Sequence, residues 1–219
     1  MRFEDTSVYN IYNAILGARN PMNSWNRSDS VFKGYNGKIE NTEIGKNDLG
    51  LAQRLIKAGE PHRKFLRQIF VSVDITAPLY WWKEFDTYKV GTVANSTSTM
   101  HKLASTPITK EYFEMDDFKD FDLESQDMVF PLKSTWESLI SDLEFCRQKY
   151  NETKDKRYWK ELIRLLPESW LQKRTVTMNY ENILNMITYR QNHKLSEWSE
   201  SFINWTKTLP YADEFFFSK

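Results

Sequence analysis

Residues 69–103 constrain the fold of this chain more than any other part of its sequence. Residues 68–76 alternate between apolar and more polar side chains, and this period of two predicts a half-buried strand. Pro78 suits the first turn of a helix, which we expect over about 79–89. A tract of small and hydroxyl residues follows at 92–99. Backbone amides and hydroxyls placed just after a cationic helix end are suited to phosphate recognition.

The length and composition indicate a folded protein with a sizeable core. The 219 residues are enough for one domain or at most two small ones, and we expect a single domain over residues 1–219. Aromatic residues make up 15% of the chain, which favours a folded protein over a disordered one. The 30 basic and 30 acidic residues cancel, which argues against broad, non-specific binding to nucleic acid or membranes.

The sequence also limits the location of the protein and its metal chemistry. No segment approaches 18 consecutive apolar residues and the first four residues do not begin a signal peptide, so we expect a soluble, cytoplasmic protein. The single cysteine, Cys146, excludes an intrachain disulfide. The three histidines lack the spacing of metal ligands, so no metal site is expected.

Periodicity and turn residues predict an α+β fold, with a small antiparallel sheet packed against helices. Turn signals in residues 20–47 indicate a long loop or a hairpin, and apolar residues at helical spacing predict a helix over 48–58. The acidic segment 110–127 is predicted to lie on the surface. Further helices are expected at about 131–150, 155–166, 168–173, 178–191 and 195–207.

Two loop regions carry cations that could bind an anionic group. Arg19 is followed by Asn20, Asn23 and Ser24, and an arginine among amides and hydroxyls can hold a phosphate. The same pattern is also typical of an exposed arginine near a turn. His62 lies among flanking cations where a helix end meets the predicted strand. It could contact an anionic cofactor, or this charge could simply complement the helix dipole.

Two further groups lie in the hydroxyl tract and in the C-terminal half of the chain. Tyr88 and Lys89 precede the tract, whose hydroxyls could bind phosphate, although such tracts also form ordinary turns. In the C-terminal half, an arginine beyond an apolar helix face could hold a pyrimidine or a carboxylate, or could pair with an acidic residue. The candidate residues are Ser96, Thr97, Ser98 and Thr99 in the tract, and Arg164, Asn179, Asn185 and Arg190 in the C-terminal half.

Taken together, these stretches resemble the flavin-dependent thymidylate synthase family over roughly residues 10–105 and 155–205. The A-A-R-x-S loop of that family is similar to residues 17–24. Its R-x-x-L-P segment resembles residues 164–167, and its T-V-N…L-x-N-F-L-x-L-R pattern resembles residues 177–190. The strand, the Ala-Pro pair after it and the aromatic helix are also similar to the family pattern.

The signature of that family differs in this chain. Where the family has R-H-R, seven residues and then S-x-R, this chain has Thr87, Tyr88 and Lys89, then Thr97, Ser98 and Thr99. Only a cation at Lys89 and a hydroxyl at Thr97 are retained. Each missing charge-assisted hydrogen bond costs about 1.5–3 kcal/mol, so the departure bears on cofactor and substrate binding.

The resemblance implies an enzyme that methylates C5 of dUMP. Methylenetetrahydrofolate would supply the carbon and FAD, reduced by NADPH, would supply the reducing equivalents. The family resemblance also implies a homotetramer. It makes Arg190 the catalytic residue that holds the pyrimidine and draws charge from its ring. The implied FAD contacts are Arg19, His62, Tyr88, Lys89, Asn179 and Asn185, and the implied contacts to the nucleotide are Ser96, Thr97, Ser98, Thr99, Arg164 and Arg190.

The altered signature keeps two other hypotheses open. The chain could retain the fold and a pyrimidine-nucleotide pocket while modifying or only binding the nucleotide, without normal recognition of FAD or dUMP. It could instead be an interaction protein, with segment 110–127 and the aromatic residues 215–217 as partner surfaces.

Overall fold

The structure, a computed structural model, describes residues 1–35, 38–115 and 129–218. Its strands are β1 (Arg2–Tyr9), β2 (Val31–Tyr35), β3 (Lys38–Glu43), β4 (Phe70–Pro78), β5 (Val93–Ser96) and β6 (Leu171–Asn179). Its α-helices are α1 (Ile11–Gly17), α2 (Lys46–Lys57), α3 (Leu79–Phe85), α4 (Thr99–Lys102), α5 (Val129–Thr153), α6 (Lys156–Leu165), α7 (Tyr180–Arg190) and α8 (Ile203–Thr206). Among these described residues, no helix is both long and apolar enough to cross a membrane.

The predicted α+β class is confirmed by a small antiparallel sheet combined with helices. The four-stranded sheet has the order β1-β4-β6-β5. A separate antiparallel hairpin pairs β2 with β3, in the register that places Val31 opposite Glu43. The hairpin alternative for residues 20–47 is therefore confirmed. The predicted strand is also confirmed as β4, since Val71 and Val73 are buried while Phe70 is 42% exposed.

Contacts between backbone positions divide the chain into two compact units. The first unit contains Met1, Thr76–Phe85 and Asn95–Arg174. The second unit contains Arg2–Ile75, Asp86–Ala94 and Thr175–Lys219. A single domain over residues 1–219 stays a prediction.

The core of the first unit forms around α5 and α6. Leu143 and Cys146 on α5 pack with Leu162 on α6 and with Phe113. The Phe113 ring meets the ring of Trp170 at 5.4 Å between centroids. Burial raises the pKa of the Cys146 thiol, with Glu161 and Asp142 adding to the effect, so the thiol stays protonated as an apolar packing group.

The core of the second unit forms around one face of β4, α7 and the C-terminal aromatic residues. Phe215 is 1% exposed and Phe216 is 9% exposed, and the Phe215 ring packs edge-on against Phe65 at 5.9 Å. The interpretation of residues 215–217 as an exposed partner surface is therefore wrong, because two of the three rings fill the core of their own unit.

Several predicted elements have different bounds in the structure. Pro78 is the last residue of β4 rather than part of a helix, and α3 ends at Phe85 instead of continuing to about residue 89. The helix predicted at 168–173 is wrong, because β6 begins at Leu171. Residues 116–127 of the segment 110–127 lie outside the described residues, and its described part includes the buried Phe113.

The remaining helical predictions are confirmed. Helices α2, α5, α6 and α7 correspond to the segments predicted at 48–58, 131–150, 155–166 and 178–191. The segment predicted at 195–207 contains a π-helical stretch, Glu197–Phe202, followed directly by α8.

Candidate functional site

Helix α7 positions the residues at the centre of the candidate site. Asn179 caps its first turn, since Asn179 Oδ1 accepts a 2.9 Å hydrogen bond from the backbone N–H of Asn182. Asn182 Oδ1 accepts a 3.1 Å hydrogen bond from the backbone N–H of Asn179, so the two side chains form a capping box. Arg190 is the last residue of α7, where a cation complements the helix dipole.

The Arg190 guanidinium lies between two aromatic rings. Its Nε donates a 2.9 Å hydrogen bond to Tyr88 Oη. Its Cζ lies 5.6 Å from the centre of the Tyr88 ring and 5.4 Å from the centre of the Trp198 ring. Both distances fall within the range of cation–π attraction. The arginine is half-buried, and these contacts restrict the rotamers that it can adopt.

The chain segment after Tyr88 is fixed to the first turn of α7. Asn182 Nδ2 donates a 2.6 Å hydrogen bond to the carbonyl oxygen of Val90. Gly91 has φ +80°, and a Cβ there would lie 2.9 Å from Asn179 Nδ2. A glycine at this position allows the backbone to approach the cap so closely. Lys89 is thereby held between two fixed neighbours, with its side chain exposed.

A second polar group on α7 contains Asn185. Glu181 is buried, and both of its carboxylate oxygens accept hydrogen bonds from Arg63 Nε, at 3.0 and 3.1 Å. Arg63 Nη2 donates a 3.2 Å hydrogen bond to Asn185 Oδ1, which orients the amide of Asn185. Within the described parts of the chain, Asn185 Nδ2 makes no hydrogen bond. The neighbouring His62 has an exposed side chain.

Arg19 is held inside the second unit by an ion pair. It is 4% exposed, and its Nε donates to Asp48 Oδ1 at 2.5 Å. Asp48 Oδ2 accepts further hydrogen bonds from the hydroxyls of Ser28 and Ser30. Burial raises the pKa of Asp48, but the hydrogen bonds from Ser30, Ser28 and Arg19 outweigh burial and hold this pKa below its usual range.

Residues 95–99 of the hydroxyl tract belong to the first unit. Ser96 is the last residue of β5. The next residue, Thr97, is fixed to β6 by two hydrogen bonds of 2.9 Å. Its backbone N–H donates to the Lys173 carbonyl oxygen, and its carbonyl oxygen accepts from Gln172 Nε2. Ser98 Oγ accepts a 3.2 Å hydrogen bond from the backbone N–H of His101, as the cap of α4. The side chains of Ser96 and Thr97 are exposed, while those of Ser98 and Thr99 are half-buried.

The structure brings some of the predicted site residues together and leaves others apart. Tyr88, Lys89, Asn179 and Arg190 all lie along α7 in the second unit, where Asn185 also lies. Arg164, in the first unit, is exposed and pairs with Glu161 at 3.0 Å. Among the described residues, no hydrogen bond joins Arg164 to the hydroxyl tract. No group of three or more potential metal ligands occurs in residues 1–35, 38–115 and 129–218.

Sequence reasoning did not assign roles to several residues of this arrangement. Asn182 could have been found, because asparagines three residues apart at a helix start are typical of a capping box. Glu181 carries no such local signal, since its partner Arg63 lies 118 positions earlier in the chain. Trp198 lies beyond the end of α7, so the pattern of that helix does not indicate its contact with Arg190.

The comparisons with known proteins give a likeness in structure without one in sequence. No protein-family model matches the chain, and no curated protein matches it. Two crystal structures of the flavin-dependent thymidylate synthase ThyX from Helicobacter pylori, both with FAD and dUMP, match with a TM-score of 0.68 and 16% identity. The match covers 99% of this chain and 98% and 97% of those chains. This chain has a ThyX-like fold. At this identity the likeness concerns the fold alone.

Proposed function

We propose that this chain is a flavin-dependent thymidylate synthase-like enzyme that converts dUMP to dTMP with methylenetetrahydrofolate and FAD, with NADPH as reductant. The ThyX-like fold supports the proposal. The observation that carries it is the position of Arg190, half-buried at the end of α7 and oriented by Tyr88 and Trp198.

Arg190 is suited to hold a pyrimidine because its guanidinium is planar, permanently charged and pre-oriented. A fixed guanidinium loses little rotamer entropy on binding, so more of its interaction energy is available to the ligand. A cation beside a carbonyl oxygen of the pyrimidine stabilises the negative charge that makes C5 of the ring nucleophilic towards the one-carbon unit. We assign this catalytic role to Arg190.

The residues near α7 also fit a flavin nucleotide. Lys89 and His62 have exposed side chains that can approach a pyrophosphate, and Asn185 Nδ2 is available as a donor among the described residues. Asn179 and Tyr88 flank the same stretch of backbone. The bound flavin would supply the reducing equivalents, and these side chains would bind and orient it.

The contacts to the nucleotide phosphate are a separate part of the proposal. The exposed hydroxyls of Ser96 and Thr97 and the exposed cation of Arg164 are suited to phosphate oxygens. Ser98 and Thr99 contribute less, because Ser98 already caps α4. By the family resemblance, we further propose that the protein assembles as a homotetramer.

Release of tritium from 5-tritiated dUMP, in the presence of FAD, NADPH and methylenetetrahydrofolate, tests the proposal. Arg190→Lys keeps the charge and loses the planar fork, so we expect release to fall by about 10- to 100-fold, the effect of one charge-assisted hydrogen bond. Arg2→Lys, on the exposed strand β1, is the matched control and should behave as the unmodified protein. Equal rates in both variants would remove Arg190 from the mechanism.

A second function, nucleotide binding or modification without normal flavin chemistry, is favoured by one observation. Two arginines of the candidate loops are engaged within the protein, Arg19 with Asp48 and Arg63 with Glu181. Neither guanidinium is fully available to an external pyrophosphate. Flavin absorbance after reconstitution separates the two functions: a colourless protein whose melting temperature still rises with dUMP supports the second.

A further inference from the structure

A cleft in the second unit contains three cations, Arg27, Lys46 and Arg54, that neither the flavin nor the dUMP proposal uses. Its volume is about 510 Å³, within the ~300–1,000 Å³ typical of small-molecule sites. We name it the cationic cleft. Its lining consists of Arg19, Met22, Asn23, Ser24, Asn26, Arg27, Lys46, Asn47, Gly50, Leu51 and Arg54.

The lining combines four cationic residues with no carboxylate. Arg19 is neutralised by its ion pair with Asp48, which leaves Arg27, Lys46 and Arg54 as exposed charges. In the part of the chain that the structure describes, none of these three makes an ion pair. A chain with 30 basic and 30 acidic residues thus concentrates one sign of charge in a single concavity. Such a concavity focuses its field on an anion.

Two acidic residues that bond to lining residues of the cleft are Asp29 and Asp48. Asp29 accepts hydrogen bonds from the backbone N–H groups of Asn47 and Asp48, at 2.9 and 3.1 Å, and so caps the first turn of α2. Asp48 accepts from Arg19, Ser28 and Ser30. Asp48 therefore neutralises Arg19, and neither carboxylate forms an ion pair with Arg27, Lys46 or Arg54 among the described residues.

Helix α2 brings two of the cations towards each other. Lys46 and Arg54 are separated by two turns, with Gly50 midway between them. A Cβ on Gly50 would lie 3.4 Å from Arg54 Nη1, so the Arg54 head lies over the glycine and points back along α2 towards Lys46. Both cations line the same cleft, so a bound anion would reduce the repulsion between them.

The rest of the lining suits an organic group. Met22 is 81% exposed and Leu51 is half-buried, so both can cover an apolar or aromatic surface. The amide side chains of Asn23, Asn26 and Asn47 can donate and accept hydrogen bonds. The cleft thus offers a cationic part and an apolar, amide-rich part.

We propose that the cationic cleft binds a small molecule carrying a di- or triphosphate, with the phosphates on Arg27, Lys46 and Arg54 and the organic part against Met22 and Leu51. Three cations match a group with several negative charges better than they match a single phosphate. Arg19 has a structural role in this site, since its ion pair with Asp48 stabilises the residues that line the cleft. The proposal does not depend on thymidylate synthase activity.

Isothermal titration calorimetry of the full-length protein at low salt tests the proposal. The probes are inorganic triphosphate, a nucleoside triphosphate and the same nucleoside without phosphate. We expect both phosphate probes to bind, with affinity falling as salt increases, and the bare nucleoside to bind at least tenfold more weakly than its triphosphate. Tighter binding of the nucleoside triphosphate than of inorganic triphosphate supports use of the apolar part as well. Equal affinity supports a site for the phosphates and contradicts the role given to Met22 and Leu51.

Matched variants on α2 identify the site. Arg54→Gln and Lys46→Gln should each weaken triphosphate binding about tenfold or more, whereas Lys57→Gln, exposed on the same helix outside the cleft, should leave it unchanged. Gly50→Glu adds a carboxylate beside Arg54 in a helix interior, where glycine is the weaker helix former, so the fold should persist and binding should be lost.

Three results would overturn the proposal. One is no triphosphate binding by the unmodified protein at low salt. Another is equal loss of affinity in Lys57→Gln and Arg54→Gln. The third is binding of a short DNA duplex without binding of triphosphate, which would indicate a nucleic-acid surface. None of these readouts involves flavin or dUMP turnover, so failure here is distinguishable from failure of the proposed function.

Discussion

Arg190 Nε donates a 2.9 Å hydrogen bond to Tyr88 Oη, which joins the end of α7 to a residue 102 positions earlier in the chain. The same guanidinium also lies 5.4 Å from the centre of the Trp198 ring. An arginine held in this way is pre-oriented before any ligand arrives, and the function proposed for the chain depends on that orientation.

Replacing Tyr88 by phenylalanine tests the orientation of Arg190. Tyr88→Phe removes the acceptor oxygen and keeps the ring, so the cation–π contact remains while the hydrogen bond is lost. We expect the Kd for dUMP to rise about tenfold, as for one hydrogen bond to a charged group. Calorimetric titration with dUMP measures it. Tyr189→Phe is the control, since Tyr189 is 73% exposed; equal Kd values in the two variants would contradict the assigned role.

Two glycines with similar backbone angles test the close approach of the 88–91 segment to α7. Gly59 has φ +94°, and a Cβ added there would have no atom within 4 Å, whereas a Cβ on Gly91 would lie 2.9 Å from Asn179 Nδ2. Gly59→Ala should lower the free energy of unfolding by about 1–2 kcal/mol through backbone strain. Gly91→Ala should lower the free energy of unfolding by about 1–3 kcal/mol more than Gly59→Ala, because the added methyl group would be too close to Asn179. Urea denaturation of both variants measures the difference, and identical values would argue against the close approach.

The buried pair of Asp48 and Arg19 should make stability depend on pH. The pKa of Asp48 is lower in the folded chain than in the unfolded chain, so its contribution to the free energy of unfolding is complete above the unfolded pKa of about 3.9. That contribution is lost as the pH falls from there towards the folded pKa. Asp48→Asn leaves Arg19 buried beside a neutral group, which should cost about 3–5 kcal/mol at pH 7.

Urea denaturation at pH 7 and at pH 3 measures this effect. The difference in the free energy of unfolding between the unmodified protein and Asp48→Asn should be smaller at pH 3 than at pH 7. Asp213→Asn, at an exposed position, should change little at either pH. A difference that grows as the pH falls would contradict the sign of the pKa shift.

The C-terminal aromatic residues should stabilise the second unit. Phe215 is 1% exposed and packs on Phe65 and Tyr180, with ring centres 5.9 and 6.3 Å away. Phe215→Ala should therefore lower the free energy of unfolding by about 3–5 kcal/mol. Phe217→Ala, at a half-buried position, should cost clearly less in the same denaturation experiment. A larger loss in Phe217→Ala than in Phe215→Ala would contradict the packing role given to Phe215.

The elements that sequence reasoning predicted well are those with strong periodicity. Helix α2 has apolar residues at helical spacing and is followed by Gly59, and β4 alternates over its first six residues, 70–75, so local pattern and tertiary burial agree there. Strand β1 was not predicted, because most of its side chains are exposed and no apolar alternation marks it. The start of strand β6 was predicted to be helical. One of its first buried residues is the polar Gln172, which donates a hydrogen bond to the Thr97 carbonyl oxygen, so apolar residues do not mark the buried face there.

The candidate site was predictable in its residue types and less so in its pairings. Arg190 and Asn179 follow from the pattern of α7. The ion pair of Arg19 with Asp48 could not be predicted, because the partners are 29 positions apart and their pairing depends on tertiary packing. The same is true of the aromatic pair around Arg190, since Trp198 lies beyond the end of α7 on the π-helical stretch.

Tritium release from 5-tritiated dUMP by the flavin-reconstituted protein is the decisive measurement of the proposed function. We expect release that requires methylenetetrahydrofolate and reduced flavin and that falls about 10- to 100-fold in Arg190→Lys. Absence of release from protein that has visibly bound flavin and folate would contradict it.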